Sequence, residues 1–500
     1  MKQKNNSIAK YLLEIIVFTT GAVVMIFELT GSRLLGPYIG TSIFVWTSLI
    51  GVILGSLSVG YYYGGKLADR HASVVKLSFI IFIAGVFVGL TVIVNKTVLS
   101  TLSKLITDIR ISSIIASILL FSPASFFLGM VSPYAVKLKL KNIKTSGSTI
   151  GNMYAISTIG SIIGTFVAGF FLIPSIGTTN ILFLLSGILV ILSFLTHTSQ
   201  LMKVKSVFLA IIFFLFAIEN ALNYAYTEDG YIDTDTQYNR VRIYSTKDAK
   251  TDKEIKMMRI NNESSSAMYL DSSELVFQYT KFYHLLRHFN PQFQKTLMIG
   301  GGAYSFPKDY VHKYPDKQID VVEIDPQLTA LARKYFHLKD SPHLKIIHDD
   351  GRIFLNKTKE KYDVVLIDAF KSFYSIPYQL TTQETAEQIY NILNENGVVM
   401  INVISAIEGA KGTFLQAEYA TYKSVFPYAY VIPVNSTNAK KPQNIMLIAV
   451  KSANTPLLSS EDKELDKYLE NVWTEEIKTS VPILTDDYAP VDYYIGKMLE

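Results

Sequence analysis

A glycine triplet and three acids, each closing an apolar run, are the residues here whose types and spacing suit chemistry. Gly300, Gly301 and Gly302 follow Leu297-Met298-Ile299, and Glu323 lies near the end of a second apolar run, Ile319 to Ile324. Glycine lets a backbone approach a ligand where a Cβ would clash, and an acid ending the next strand accepts hydrogen bonds from both hydroxyls of a ribose. The pattern points to a nucleoside site. It is not a G-x-G-x-x-G fingerprint, because Ala303-Tyr304-Ser305 follows the triplet. That departure favours the shorter turn used for adenosyl ligands over a dinucleotide turn. Asp350, followed by Gly351, comes after Leu344–Ile347, and Asp368 comes after Asp363–Ile367.

These residues need a scaffold that gathers strand ends. Apolar runs alternate with helical spacing at Gln327–Phe336 and Thr382–Leu393, and Gly397 opens a further strand, Val398–Val403. Such alternation predicts a Rossmann-like α/β fold with a doubly wound parallel sheet. Ligands bind beyond the carboxyl ends of its strands, so Glu323, Asp350 and Asp368 are expected to converge. Upstream, Tyr238 to Tyr244 alternates around Val241 and Ile243, and Met257–Ile260 can pair with it. Residues 231–275 therefore read as a small antiparallel β cap, followed by helical spacing over Leu275–Phe289.

At 500 residues the chain is too long for one ordinary domain. Before Tyr224 it carries 16 Lys and Arg against 5 Asp and Glu; the remainder carries 31 against 37. The first part reads as a polytopic α-helical membrane domain. Seven apolar stretches are long enough to cross a bilayer, near Ile15–Leu35, Ile43–Gly64, Val74–Val94, Ile111–Val131, Ile150–Ile173, Ile181–Leu195 and Val207–Tyr224. The expected partition is 1–224 membrane domain, 225–285 cap, 286–455 α/β domain and 456–500 C-terminal tail. Glycines at four-residue spacing, Gly51/Gly55, Gly85/Gly89 and Gly160/Gly164, suit close helix packing in lipid. Glu28, with Ser32 and Arg33, is the ionisable group best placed inside a span.

Twelve Lys and Arg lie in the N-terminal tail and in the loops after the second, fourth and sixth stretches, which puts the N-terminus inside the cell. Seven spans would then leave the second half outside, where no adenosyl donor is made. Either one stretch does not span, or an eighth is hidden, or the second half is outside; Asn95–Arg110 is amphipathic and is a segment able to lie in or re-enter the membrane, and the chemistry of the second half favours a cytoplasmic position. The basic charges sit in short membrane loops, so no nucleic-acid surface is implied. Cysteine is absent, which excludes disulfides, a thiolate metal site and a catalytic thiol; no metal is expected.

Residues 235–450 resemble the spermidine synthase family of aminopropyltransferases. The whole chain resembles bacterial proteins that fuse a membrane domain to a spermidine-synthase-like domain. Gly300-Gly301-Gly302, Glu323-Ile324-Asp325-Pro326, Asp350-Gly351, Tyr362 to Asp368 and Asn396-Gly397 carry the likeness. It implies a donor, decarboxylated S-adenosylmethionine or S-adenosylmethionine, lined by the glycines, held at the ribose by Glu323 and met at the adenine by Asp350 and Gly351. Asp368 would help deprotonate the attacking amine, since an alkylammonium cannot attack a sulfonium. The partners implied are the lipid bilayer, a small amine and a second copy in a homodimer.

The departures from the family pattern fall on the acceptor side. Ala303-Tyr304 stands where the family has Asp-Gly, Tyr238-Asn239 where it has Tyr-Gln, and Lys371 where it has a second Asp. Phe277-Gln278-Tyr279-Thr280 replaces an acidic cap motif before Tyr283-His284, and the tail offers Asp486-Asp487. Asn239, Tyr304, Lys371 and Asp487 are thus the candidates for facing the acceptor. The expected activity is membrane-anchored aminopropyl transfer from an adenosyl sulfonium to an amine. The alternatives are methyl transfer from the same donor site, and a transporter or sensor that binds a nucleoside or polyamine without turnover. For transport there is one loop-sized likeness, Gly64-Gly65-Lys66-Leu67-Ala68-Asp69-Arg70, which resembles a cytoplasmic loop of major-facilitator transporters.

Overall fold

Each of the seven apolar stretches forms a helix long and apolar enough to cross a membrane. A computed structural model describes residues 6–140, 142–197, 202–228, 230–261, 263–369, 376–478 and 481–499. It divides into Met1–Asp229 and Gly230–Glu500, so the boundary falls five residues later than the sequence suggested.

The helices of the first unit are α1 (Asn6–Ile39), α2 (Ile43–His71), α3 (Val74–Leu105), α4 (Ile109–Lys139), α5 (Ser146–Val167, extended by a π turn), α6 (Thr178–Thr196) and α7 (Met202–Glu228). Short polar caps separate them: Ser73 accepts from the Lys76 amide at 3.2 Å, and Asp108 from the Arg110 amide at 2.8 Å. Asn95–Arg110 is not a separate amphipathic segment, because α3 continues unbroken to Leu105. The transporter-like stretch Gly64–Arg70 is likewise the last turns of α2 rather than a loop. Gly160 and Gly164 face the α1 backbone at Phe18 and Ala22, and Gly85 and Gly89 face α6 near Ser186. Gly51 and Gly55 meet nothing within 4 Å, so their spacing serves no contact within the described chain.

The second unit begins with a sheet of β1 (Ile232–Asp235), β2 (Arg240–Lys247), β3 (Glu254–Ile260) and β4 (Glu263–Tyr269), all antiparallel. Val241 pairs with Ile260, as the alternation predicts. The apolar face, Val241, Ile243, Met258 and Ile260, packs on Leu328 and Phe336 of the α/β layer. A helical run at 278–289 follows.

Then come β5 (Lys295–Ile299), α8 (Ser305–Lys313), β6 (Gln318–Val322), α9 (Pro326–Tyr335), β7 (Leu344–Ile347), α10 (Gly351–Lys357), β8 (Tyr362–Ile367), α11 (Gln383–Ile392), β9 (Leu393–Ser405), α12 (Thr413–Val425), β10 (Tyr428–Pro433) and β11 (Gln443–Val450). Their order in the sheet is β10-β11-β9-β8-β5-β6-β7. The strands expected from the sequence, β5 to β9, are parallel as expected; β11, which that reading did not include, runs antiparallel to both its neighbours. The reason is local. Only a short connection separates β10 from β11, enough for a hairpin but not for the crossover that parallel strands require. The central strands are buried on both faces, hence their unbroken Val, Ile and Leu runs.

The last segment is not an appended tail. Leu465 and Leu469 on α13 (Lys463–Leu469) are buried, as are Leu484 and, on α14 (Val491–Leu499), Val491 and Ile495. They belong to the two cores that sandwich the sheet.

Candidate active site

The carboxyl ends of β5 and β8 meet at one glycine. Gly300 has φ +96°, a value that favours glycine, and a Cβ there would lie 2.5 Å from the Asp368 carbonyl oxygen. The Asp368 amide donates to Ile299 O at 2.9 Å, which fixes the acid beside the glycine turn. The turn is closed by Glu323, whose Oε2 accepts from the amides of Gly301 and Gly302 at 2.9 and 3.1 Å. Its Oε1 accepts from the Asp325 amide at 2.9 Å. Three of the roughly four acceptor positions of this carboxylate are therefore occupied by backbone. The cap completes the cradle: Ser266 Oγ accepts from the Ala303 amide at 3.0 Å, and a Cβ on Gly302 would reach that oxygen at 2.8 Å.

Asp368 sits in a polar cluster. Tyr279 donates its hydroxyl to Oδ2 at 3.2 Å, Asn402 donates its amide to Oδ1 at 3.1 Å, and Asn444 donates to Asn402 Oδ1 at 3.0 Å. The Tyr283 hydroxyl faces the same carboxyl. Burial pushes the Asp368 carboxyl above its ordinary range, and the donors from Asn402 and Tyr279 draw it partly back. Burial and the neighbouring Asp368 charge hold both tyrosines well above the usual phenol range, so both stay protonated.

Gly300, Gly301, Gly302, Glu323 and Asp368 line one cavity of about 730 Å³, with Ser266, Tyr279 and Asn402. That volume suits a ligand the size of an adenosyl compound. Asp350 is not in its lining. One of its oxygens caps α10, accepting from the Arg352 and Ile353 amides at 2.8 and 3.1 Å. Gly351 is a packing glycine: a Cβ would lie 2.6 Å from Ile299 Cγ2.

The acceptor-side expectations need correction. Asn239 is buried away from the cavity, donating to Asp325 Oδ2 at 3.4 Å, where Thr236 of the cap also donates. Tyr304 is fully buried beneath the glycine turn, at φ +57°, and its hydroxyl pairs with Thr329 at 2.7 Å. A bulky ring there takes the space a Cβ on Gly301 would need. Asp487 is exposed; the tail acid engaged is Asp486, bound to Arg352 and Thr382 at 2.6 and 2.7 Å. Lys371 lies outside the described residues. Sequence reading missed Tyr279, Tyr283, Asn402 and Asn444 as site residues. One signal was there: Asn402 interrupts the apolar strand Val398-Val399-Met400-Ile401-Asn402-Val403, a place where an amide needs a reason.

Fold and cavity together are those of a Rossmann-like α/β protein with a β cap, its cavity at the strand carboxyl ends. A spermine/spermidine synthase domain model matches residues 277–457. The polyamine aminopropyltransferase of Vibrio vulnificus is 30% identical over 221 residues, covering 41% of this chain and 71% of the relative. The chain belongs to this family of transferases, the spermidine-synthase-like aminopropyltransferases. Polyamine aminopropyltransferase 1 of Streptomyces coelicolor is 22% identical over 422 residues, 79% of this chain and 76% of that one, so the match extends into the helical unit. Among solved structures, a probable spermidine synthase from Corynebacterium glutamicum covers 45% of this chain and 81% of its own, at 25% identity and a TM-score of 0.39.

Proposed function

We propose that the second unit transfers an aminopropyl group from decarboxylated S-adenosylmethionine to an amine, and that the first unit anchors it in a bilayer. The observation that carries this reading is the convergence of the Glu323-held glycine turn and Asp368 on one cavity. When bound, the donor supplies an electrophilic carbon next to a sulfonium. Glu323 keeps the turn open for the nucleoside and offers its remaining acceptor position to the ribose. Asp350 and Gly351 are proposed to flank the adenine at the start of α10. Asp368 binds the incoming ammonium and takes its proton. The amine nitrogen then bonds to the aminopropyl carbon, the carbon–sulfur bond breaks, and its electron pair stays on sulfur as a neutral thioether. Tyr279 and Asn402 hold the carboxylate still while this happens, a positioning role.

Mass spectrometry of the purified full chain with decarboxylated or intact S-adenosylmethionine and a panel of amines tests the reading. Methylthioadenosine and an aminopropylated amine are expected. S-adenosylhomocysteine and a methylated amine would replace it with methyl transfer.

The soluble unit is proposed to face the cytoplasm, where the adenosyl donor is made. One observation favours the opposite placement. Ion pairs Lys139–Glu14 and Lys137–Asp69, at 2.7 and 2.6 Å, join the start of α1 and the ends of α2 and α4 at the basic end of the bundle. Lys96–Glu219, at 3.2 Å, joins α3 and α7 at the other end, toward which α7 runs as it finishes.

A further inference from the structure

The carboxyl edge of the sheet gives the cavity a direction. Glu323 follows β6, the glycines follow β5, Asp368 follows β8, Asn402 is on β9 and Asn444 on β11, in the spatial order of the strands. With strands about 4.8 Å apart, Glu323 and Asn444 lie on strands two places to either side of Asp368, roughly 10 Å each way. The donor's nucleoside takes the Glu323 side. The acceptor's far end must then lie on the β11 side.

That side is poor in acids. Among the described residues its lining includes Phe277, Gln278, Lys281, Asn402, Ile404 and Asn444, with Asn435 beside them. The helical run carrying Lys281 packs against β11. Lys281 is half-buried and forms no ion pair among the described residues. The remaining acids of the cavity are on the cap. Asp248 is committed to its own turn, accepting from the Thr251 amide and hydroxyl at 3.0 and 2.6 Å and from Tyr269 at 3.3 Å. Glu263 shares the cap wall with Lys250 and Arg259.

A diamine acceptor carries two ammonium groups. Asp368 serves the attacking one; the distal one would meet amides and the Lys281 ammonium. Resting on the aminopropyl-transfer reading above, we infer that the acceptor is an aminocarboxylate: an amine at one end for Asp368, a carboxylate at the other for Lys281 and the neighbouring amides. Nitrogen attacks and loses its proton as already described, so only the distal group differs from a diamine.

Length-matched pairs isolate that difference: 4-aminobutyrate against putrescine, and 5-aminovalerate against cadaverine. With decarboxylated S-adenosylmethionine and the full chain in detergent, kcat/KM is expected to favour the aminocarboxylates about tenfold or more, since the half-buried Lys281 is only partly screened. Lys281→Glu should invert the preference, and Lys281→Gln should abolish it without inversion. A wild-type preference for the diamines, or a ratio unmoved by Lys281→Glu, overturns the inference. If Lys281→Glu instead weakens binding of S-adenosylmethionine and not of its decarboxylated form, the carboxylate belongs to the donor and the inference falls. Absence of methylthioadenosine with every amine would remove the transfer reading. Calorimetry with methylthioadenosine present then still decides the acceptor class, and tighter cadaverine than 5-aminovalerate would overturn it.

Discussion

A Cβ on Gly300 would lie 2.5 Å from the carbonyl oxygen of Asp368, so the glycine turn and the acid occupy their places only because that atom is missing. The two residues are far apart in sequence and adjacent in space, since β5 and β8 are neighbours in the sheet. Gly300→Ala should cost roughly 1–3 kcal/mol from its positive φ alone and displace Asp368 as well. A large fall in kcat accompanying a modest drop in melting temperature is expected. Wild-type kcat in a folded Gly300→Ala protein would show that the contact is irrelevant to turnover.

Asp368→Asn should lower kcat by roughly 10²–10⁴-fold, the range for losing a positioned base. Binding of methylthioadenosine should survive, because the glycine turn and Glu323 do not depend on that carboxyl. Calorimetry beside a turnover assay separates the two effects, and full activity in the variant would remove Asp368 from the mechanism.

Burial raises the Asp368 carboxyl, and its donors partly offset this. Only the ionised form accepts a proton from the acceptor, so activity should fall as pH drops through the folded-state value. Tyr279→Phe or Asn402→Leu removes a donor to the carboxylate and raises that value further. The acidic limb of the kcat/KM profile should move to higher pH in each variant. An unmoved limb would mean that another group controls it.

Glu323→Ala strips three backbone amides of their acceptor and should loosen the glycine turn. Each lost bond to a charged acceptor is worth at most roughly 1.5–3 kcal/mol. Methylthioadenosine affinity is expected to fall by at least about tenfold, equivalent to 1.4 kcal/mol. Unchanged affinity would exclude Glu323 from the nucleoside site.

Glu418 on α12 is fully buried, and neither carboxyl oxygen has a hydrogen-bond partner among the described residues. Burial pushes its carboxyl well above the ordinary range. A raised folded-state value means that this group's contribution to stability is fully present below the unfolded value of about 4.3. It is lost by ~1.4 kcal/mol per pH unit as pH rises toward the folded value. Glu418→Gln carries no titrating proton and should flatten that slope, giving a higher melting temperature than wild type at neutral pH. Trp473 fluorescence in a Trp46→Phe background reports the second unit, and parallel pH dependences for the two proteins would contradict the assignment.

A fluorescent protein fused after Glu500 should glow, and an export-dependent phosphatase fused there should be inactive, if the catalytic unit is cytoplasmic. The reverse pattern would follow from seven crossings with the basic end inside, and would require a donor supplied outside the cell.

Much of this was legible in the residues. Apolar stretches of membrane-spanning length announced the seven helices, because a long apolar run with few charges is stable as a helix buried in protein or in lipid. Period-two alternation announced the cap strands, and rules that tie ligands to strand ends gave the expectation that Glu323 and Asp368 converge with the glycine turn, as they do on one cavity. The sequence could not show how the side chains around those ends are spent. Asn239 and Tyr304 sit at motif positions, yet their polar atoms are consumed by Asp325 and Thr329. Tyr279 and Asn402, from a helical turn and a strand about 120 residues apart, reach the two oxygens of one carboxylate. Hydrogen-bond partners are chosen by distance in space, and neither local propensity nor periodicity encodes it. The same holds for β11, whose direction follows from a hairpin, and for the last forty or so residues, whose scattered apolar side chains found a place only once the sheet existed to cover.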